Sequence, residues 1–201
     1  MTKYGIFLKP EQSIFSNIIN EKKKYLNLNN NQNYTTDQPH CTLFHGIFEN
    51  KEKLLRDFNN IEISKSTKLL CNSVKPIIFN NDVHEGYQTL AYLIEADKEI
   101  LKVQMQFING LQPFKSSQHY RLKSEYKKNL ITFNYPYVGE SLLPHLTITN
   151  IQTNQESSIC KNFKMNKNSF KGNFASIYIA KIEDGIEILD ESGVLVLLGK
   201  A

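Results

Sequence analysis

Pro39-His40-Cys41-Thr42-Leu43 and Pro144-His145-Leu146-Thr147-Ile148 share one pattern: proline, histidine, an apolar residue, threonine, an aliphatic residue. Side chains alternate faces along a strand, so His40 and Thr42 share one face while Cys41 and Leu43 share the other. The same parity holds for His145 and Thr147 against Leu146 and Ile148. Each segment can therefore bury an apolar face and present one imidazole and one hydroxyl to a cleft, about 6.6 Å apart along the strand. A proline just ahead of a strand tolerates its missing donor. A bare His-x-Ser/Thr match is expected roughly half a time by chance at this composition, but the full five-residue pattern only a few thousandths of a time, roughly. Two copies mark a doubled functional element.

Outward from these segments the chain alternates strand and helix patterns. Tyr4 to Lys9 reads as a strand stopped by Pro10. From Glu11 the apolar residues Ile14, Phe15, Ile18 and Ile19 recur at helical spacing, with Lys22, Lys23 and Lys24 on the wet side. Asn27 to Asn33 reads as a loop. His40 to Ile47 reads as a strand and Asn50 to Ile61 as a helix. Leu69 to Phe79 and Gln88 to Glu95 form a hairpin about the Asn80-Asn81-Asp82 turn. Asp97 caps a helix running to about Leu111, ended by Gly110 and Pro113. Phe114 to Leu143 is irregular, with room for a short helix. Strands resume at His145 to Ile151, Phe174 to Ile182 and Gly193 to Leu198. This order predicts an α+β fold with largely antiparallel sheets. No Pro-, Gly- or Ser-rich linker interrupts it, so residues 1–201 are expected to form a single domain.

Composition narrows the function classes. The chain has 201 residues, 40% apolar and 22% charged, enough to bury a core without disulfides or metal staples. A formal charge of +4 is milder than the dense positive field of a nucleic-acid arm, and it favours approach of an anionic substrate. The longest aliphatic run, Val194 to Leu198, is far short of the ~20 residues of a membrane span. The start shows no signal-peptide pattern. Three scattered cysteines (Cys41, Cys71, Cys160) fit a reducing compartment rather than a disulfide framework. These features predict a cytoplasmic protein, expected to be a monomer.

The doubled motif resembles that of the 2H phosphoesterases, which carry two His-x-Thr/Ser-x motifs on two pseudo-symmetric halves. The bacterial 2′-5′ RNA ligase-like and 2′,3′-cyclic phosphodiesterase branches look most similar. The likeness extends to the opening strand Tyr4-Gly5-Ile6-Phe7-Leu8, the helix behind it, the motif strand leading into Gly46, the approach Tyr137-Val138-Gly139, and the closing strand pair. It implies two α+β lobes enclosing a cleft, with both motifs facing each other across it and no metal or cofactor. Cys41 stands where the family more often has Leu, on the buried face.

The chemistry is legible from the residues themselves. Two imidazoles with an ordinary pKa near ~6.5 can supply a base and an acid together near neutral pH. Threonine hydroxyls can donate to the non-bridging oxygens of a phosphate. His40 and His145 are therefore the expected acid–base pair, and Thr42 and Thr147 the phosphate clamp. The expected activity is hydrolysis of 2′,3′-cyclic phosphates or 2′-5′ linkages, with RNA ends, 2′-5′ oligonucleotides or small cyclic nucleotides as substrates. Four intact motif residues favour an enzyme over a silent nucleotide- or RNA-end-binding module.

Other residues have weaker claims. Tyr135 and Tyr137, shortly before the second motif, and Phe44, on the first motif's cleft face, are the candidates for stacking on bases. Thr149 continues the His145 face. His45 has the opposite parity to His40 and reads as structural. His84 lies in a polar turn, and His119 lies near Arg121 in the irregular stretch. A zinc site at His40, Cys41 and His45 is disfavoured by parity, and no metal-binding spacing is present. A Cys41 nucleophile is disfavoured too, because its thiol points into the core.

Overall fold

The computed structural model describes residues 1–26, 37–64, 66–80, 87–114, 124–154, 156–183 and 186–196, with residues 124–125 and 186–196 described by their backbone. Seven strands and five helices follow one another as β1 (Thr2–Pro10), α1 (Gln12–Lys23), β2 (Cys41–Phe48), α2 (Lys51–Asn59), β3 (Ser73–Asn80), β4 (Tyr87–Ile94), α3 (Lys98–Leu111), α4 (Ser124–Phe133), β5 (His145–Gln152), α5 (Ser158–Lys164), β6 (Phe174–Glu183) and β7 (Ile186–Val196). A 3₁₀ turn at Gly139–Ser141 precedes β5. The strands form two antiparallel sheets, a four-stranded one in the order β2-β1-β6-β7 and a three-stranded one in the order β3-β4-β5. The fold is α+β, as the element order predicts.

Helices α1 and α3 cross to the other sheet, whereas α2 and α5 stay with the sheet of the strand before them. Helix α1 follows β1 in the chain but packs on β5, and α5 packs on β3. Helix α3 packs on β2 and α2 on β7. Ile14 and Ile18 of α1 bury against the sheet carrying Leu90, Tyr92 and Leu146, and all of these join one apolar cluster with Ile6, Leu8 and Phe107. The two motif strands meet where β2 and β5 are in contact.

Local signals account for most boundaries. The Asp97 side chain accepts from the Ile100 amide at 2.8 Å, the cap expected there. Helix α3 runs through Gly110, however, and ends in the left-handed backbone of Gln112 (φ 43) ahead of Pro113. Gly110 instead serves packing, since a Cβ there would meet Ile61 Cδ1 at 2.9 Å. Lys22 is also placed differently from its expected wet position. It is buried, and its Nζ donates to the Asp37 carbonyl at 2.8 Å, three residues before His40. The stretch read as irregular contains α4. Helix α5, not anticipated, is two turns capped by Ser157, with Cys160 and Phe163 buried. Strand β7 begins at Ile186, well before the expected Gly193. The loop at 27–33, the hairpin turn at 81–82, His84 and His119 lie outside the described residues. No helix among the described residues is long and apolar enough to cross a membrane.

Both motif strands carry a β-bulge at the same place. In β2, Phe7 of β1 pairs with Thr42 and Ile6 with Phe44, leaving Leu43 as an extra residue. In β5, Ala91 of β4 pairs with Thr147 and Leu90 with Thr149, leaving Ile148 extra. The bulged residue is in each case the third after the histidine. A bulge puts two residues opposite one, so side-chain parity inverts beyond it.

Candidate active site

The two histidines are held in the same way. His40 Nδ1 donates to the Gln38 carbonyl at 2.9 Å, and His145 Nδ1 donates to the Leu143 carbonyl at 2.7 Å. A carbonyl only accepts, so Nδ1 carries the hydrogen in both rings and Nε2 is left as the nitrogen with a free lone pair in the neutral ring. Each ring also has an aromatic neighbour from another strand. Phe7 of β1 lies edge-on to His40 with centroids 4.8 Å apart, and Phe79 of β3 lies 4.7 Å from His145. His40, Thr42, His145 and Thr147 are all half-buried.

The Phe7 ring is pinned from two sides. It packs on Tyr178 of β6 at 5.4 Å, and it lies over Gly5, where a Cβ would come within 2.5 Å of Phe7 Cε2. Gly5 thus leaves the room that the ring needs to reach His40.

The bulges revise the residues beyond each threonine. Phe44, expected on the cleft face, lies on the opposite face, wholly buried in the core and against Tyr135 at 6.2 Å. With no exposed ring it offers nothing for a base to stack on. Thr149 likewise faces the core, paired with Leu90, and is fully buried. His45 and Asn150 take the next places on the face that carries the motif histidine and threonine, opposite Gly5 and Thr89 respectively. They are the residues that follow the bulge by two in their strands. Simple alternation assigns them to the core, and a bulge leaves no signature in these sequences by which to find them.

His45 is unsuited to acid–base work. Burial, seconded by the charge of Lys3, pushes its pKa down to about 3, and its ring packs on Tyr135 at 5.2 Å. Asn150 is fully buried, and among the described residues neither its Oδ1 nor its Nδ2 finds a hydrogen-bond partner. Tyr135 is only 4% exposed, whereas Tyr137 is half-buried and packs between Tyr135 and Tyr126. Of the three proposed stacking residues, Tyr137 alone keeps substantial accessible surface.

Cys41 faces the core, as parity predicts. Burial pushes its thiol up to about 12, an effect opposed by the nearby backbone of His145. That proximity puts the middle of one motif beside the start of the other. Among the described residues, no group of three or more His, Cys, Asp or Glu side chains is placed to hold a metal ion.

Solved structures share this architecture. TT0787 of Thermus thermophilus superposes with a TM-score of 0.59 at 10% identity, covering 99% of this chain and 100% of its own. A structure described as a phosphoesterase matches with a TM-score of 0.55 at 6% identity over 98% of both chains. Usb1 of Kluyveromyces marxianus matches with a TM-score of 0.51 at 12% identity, covering 98% of this chain and 97% of its own. The fold is that of the 2H phosphoesterases. No protein-family model and no curated sequence matches the chain. The likeness to the 2H fold is therefore one of structure, carried at identities where only the fold can be compared.

Proposed function

We propose that the chain is a phosphodiesterase that hydrolyses 2′,3′-cyclic phosphates or 2′-5′ linkages in RNA or small nucleotides, without a metal ion. The observation that carries this reading is the repeated histidine geometry. Each Nδ1–H is taken up by the carbonyl two residues upstream, and a threonine follows two residues downstream on the same face. One imidazole, neutral, accepts a proton at Nε2 from the attacking water. The water oxygen bonds to phosphorus as the bond from phosphorus to one ribose oxygen breaks. The second imidazole, protonated, gives its Nε2 proton to that leaving oxygen. A cyclic phosphate thereby opens to a phosphomonoester, and the two rings exchange protonation states. Thr42 and Thr147 donate to the non-bridging oxygens, whose charge grows in the transition state.

Usb1 of Kluyveromyces marxianus has also been solved with uridine monophosphate, which supports a nucleotide-class substrate for this fold. Tyr137 is the aromatic side chain proposed to stack on a base. The test is a panel of 2′,3′-cyclic nucleotides, 2′-5′ oligoadenylate and cyclic-phosphate-ended RNA, assayed in EDTA with wild type, His40→Ala and His145→Ala. Turnover by wild type in EDTA and its loss in both variants is the expected result. Unchanged turnover in both variants would overturn the histidine assignment, and loss to EDTA alone would overturn the metal-free mechanism. Tight nucleotide binding with no turnover would identify a binding module instead.

A further inference from the structure

Gln104 of α3 is fully buried, and its amide joins three backbone groups on two segments. Its Nε2 donates to the Leu43 carbonyl at 2.8 Å and to the Tyr137 carbonyl at 2.7 Å. Its Oε1 accepts from the Gly139 amide at 3.0 Å. Two carbonyls need a donor and one N–H needs an acceptor, so only one orientation of the amide serves all three.

Each of these partners leads directly to a motif. Leu43 is the bulged residue of β2, immediately after Thr42. A bulge leaves a backbone group outside the strand ladder, and the Gln104 amide takes up the Leu43 carbonyl. On the other side, Gly139 has a left-handed backbone (φ 61) and opens the 3₁₀ turn. That turn closes with the Leu142 amide donating to the Gly139 carbonyl at 2.9 Å. The next residue, Leu143, supplies the carbonyl that orients His145. Asn129 of α4 secures the same stretch, donating to the carbonyls of Pro136 at 3.1 Å and Val138 at 3.2 Å.

The geometry points to Gln104 as a positioning residue that sets the first motif's Thr42 and the second motif's His145 relative to each other. It touches neither the substrate nor the reacting atoms in this role, which rests on the phosphodiesterase reading above. It acts through the backbone, by fixing the bulge on one side and the histidine's hydrogen-bond acceptor on the other. An apolar side chain of similar length fills the same space without holding either.

Gln104→Met and Gln104→Glu test this. Gln104→Met is expected to lower kcat about 10- to 100-fold with KM nearly unchanged, in protein whose circular dichroism matches wild type. In Gln104→Glu the ionised carboxylate faces two carbonyls, while the protonated acid can donate to one of them and still accept from Gly139. Its activity relative to wild type is therefore expected to recover as pH falls, a change that a merely space-filling role does not produce. A readout independent of turnover is the imidazole nitrogen NMR spectrum, in which Gln104→Met should shift the His145 ring signals. If wild type turns over no substrate, the phosphodiesterase reading falls, and the NMR comparison still decides Gln104. Wild-type kcat in Gln104→Met, or His145 signals identical to wild type in both variants, would overturn the proposal. Should Gln104→Met not fold, the pH response of Gln104→Glu and its NMR spectrum decide.

Discussion

The buried thiol of Cys41 lies beside the backbone of His145, which opposes the upward shift that burial gives the thiol. The residue between the imidazole and the hydroxyl of one motif therefore approaches the first residue of the other. The two motif strands belong to different sheets, and this approach is one of the places where those sheets meet. The thiol is part of the apolar core and is wholly buried there.

The thiols should consequently be silent in the folded protein. Cys41, Cys71 and Cys160 are all wholly buried, and burial raises the pKa of Cys41 and of Cys71. A thiol reagent at pH 8 is expected to label none of them natively and all three after denaturation. Rapid labelling of Cys41 in native protein would contradict its position.

Replacing either threonine hydroxyl should cost rate rather than fold. Thr42→Val and Thr147→Val keep a β-branched side chain on a strand and remove only the donor. A fall in kcat of about 100-fold or more is expected for each, with thermal midpoints near wild type. Full activity in both would exclude the hydroxyls as donors to the phosphate.

Gly5 and Phe7 make a coupled pair. Gly5→Ala drives a Cβ into the Phe7 ring, which is itself buried between Gly5, Tyr178 and His40. Overpacking of this kind costs about 1–3 kcal/mol, measurable in urea. Adding Phe7→Leu should recover part of that loss, because the smaller side chain vacates the space. Additive losses in the double variant would place the strain elsewhere.

His45 should make the protein sensitive to acid. Its folded pKa, about 3, lies below the ordinary 6.5, so the unfolded chain binds a proton between those values while the folded chain does not. Stability is then unaffected above pH 6.5 and falls as pH drops below it, by about 1 kcal/mol per unit. His45→Gln should lose less thermal stability than wild type between pH 7 and 5. Parallel losses in the two proteins would assign the acid sensitivity to other groups.

Asn150 yields a stabilising substitution. Among the described residues the Asn150 amide has no partner, and an amide so buried carries its full desolvation cost, which an apolar side chain of similar size does not. Asn150→Leu is expected to raise stability by about 1–2 kcal/mol in urea. A loss of stability would reveal a partner for the amide in solution.

The sequence and the structure diverge at definite places. The doubled Pro-His-x-Thr phrase is legible because strand alternation is regular from His40 to Thr42 and from His145 to Thr147. One residue further on it fails, and Phe44, His45, Thr149 and Asn150 all change sides. The cause is a backbone event, an extra residue at Leu43 and at Ile148, with neither glycine nor proline to announce it. Helix α3 is readable from Asp97 and Pro113, but not the inward turn of Gln104, because a polar residue on a helix face gives no partner away. Phe7 and Phe79 reach the histidines through tertiary placement, and no local spacing encodes that. Lys22 shows the same limit, since its carbonyl partner at Asp37 belongs to another segment.

The order of the strands also bears on how the protein is made. Strand β1, near the start of the chain, sits between β2 and β6. Its pairing with β2 can form early in synthesis, but its other edge stays open until residues 174–183 have left the ribosome. Tyr178, which backs the Phe7 ring beside His40, arrives with that same late strand. Pairings so distant in sequence form slowly and leave an exposed strand edge while they wait. A nascent chain that stalls before β6 would therefore carry both histidine motifs and still lack the wall that steadies the first of them.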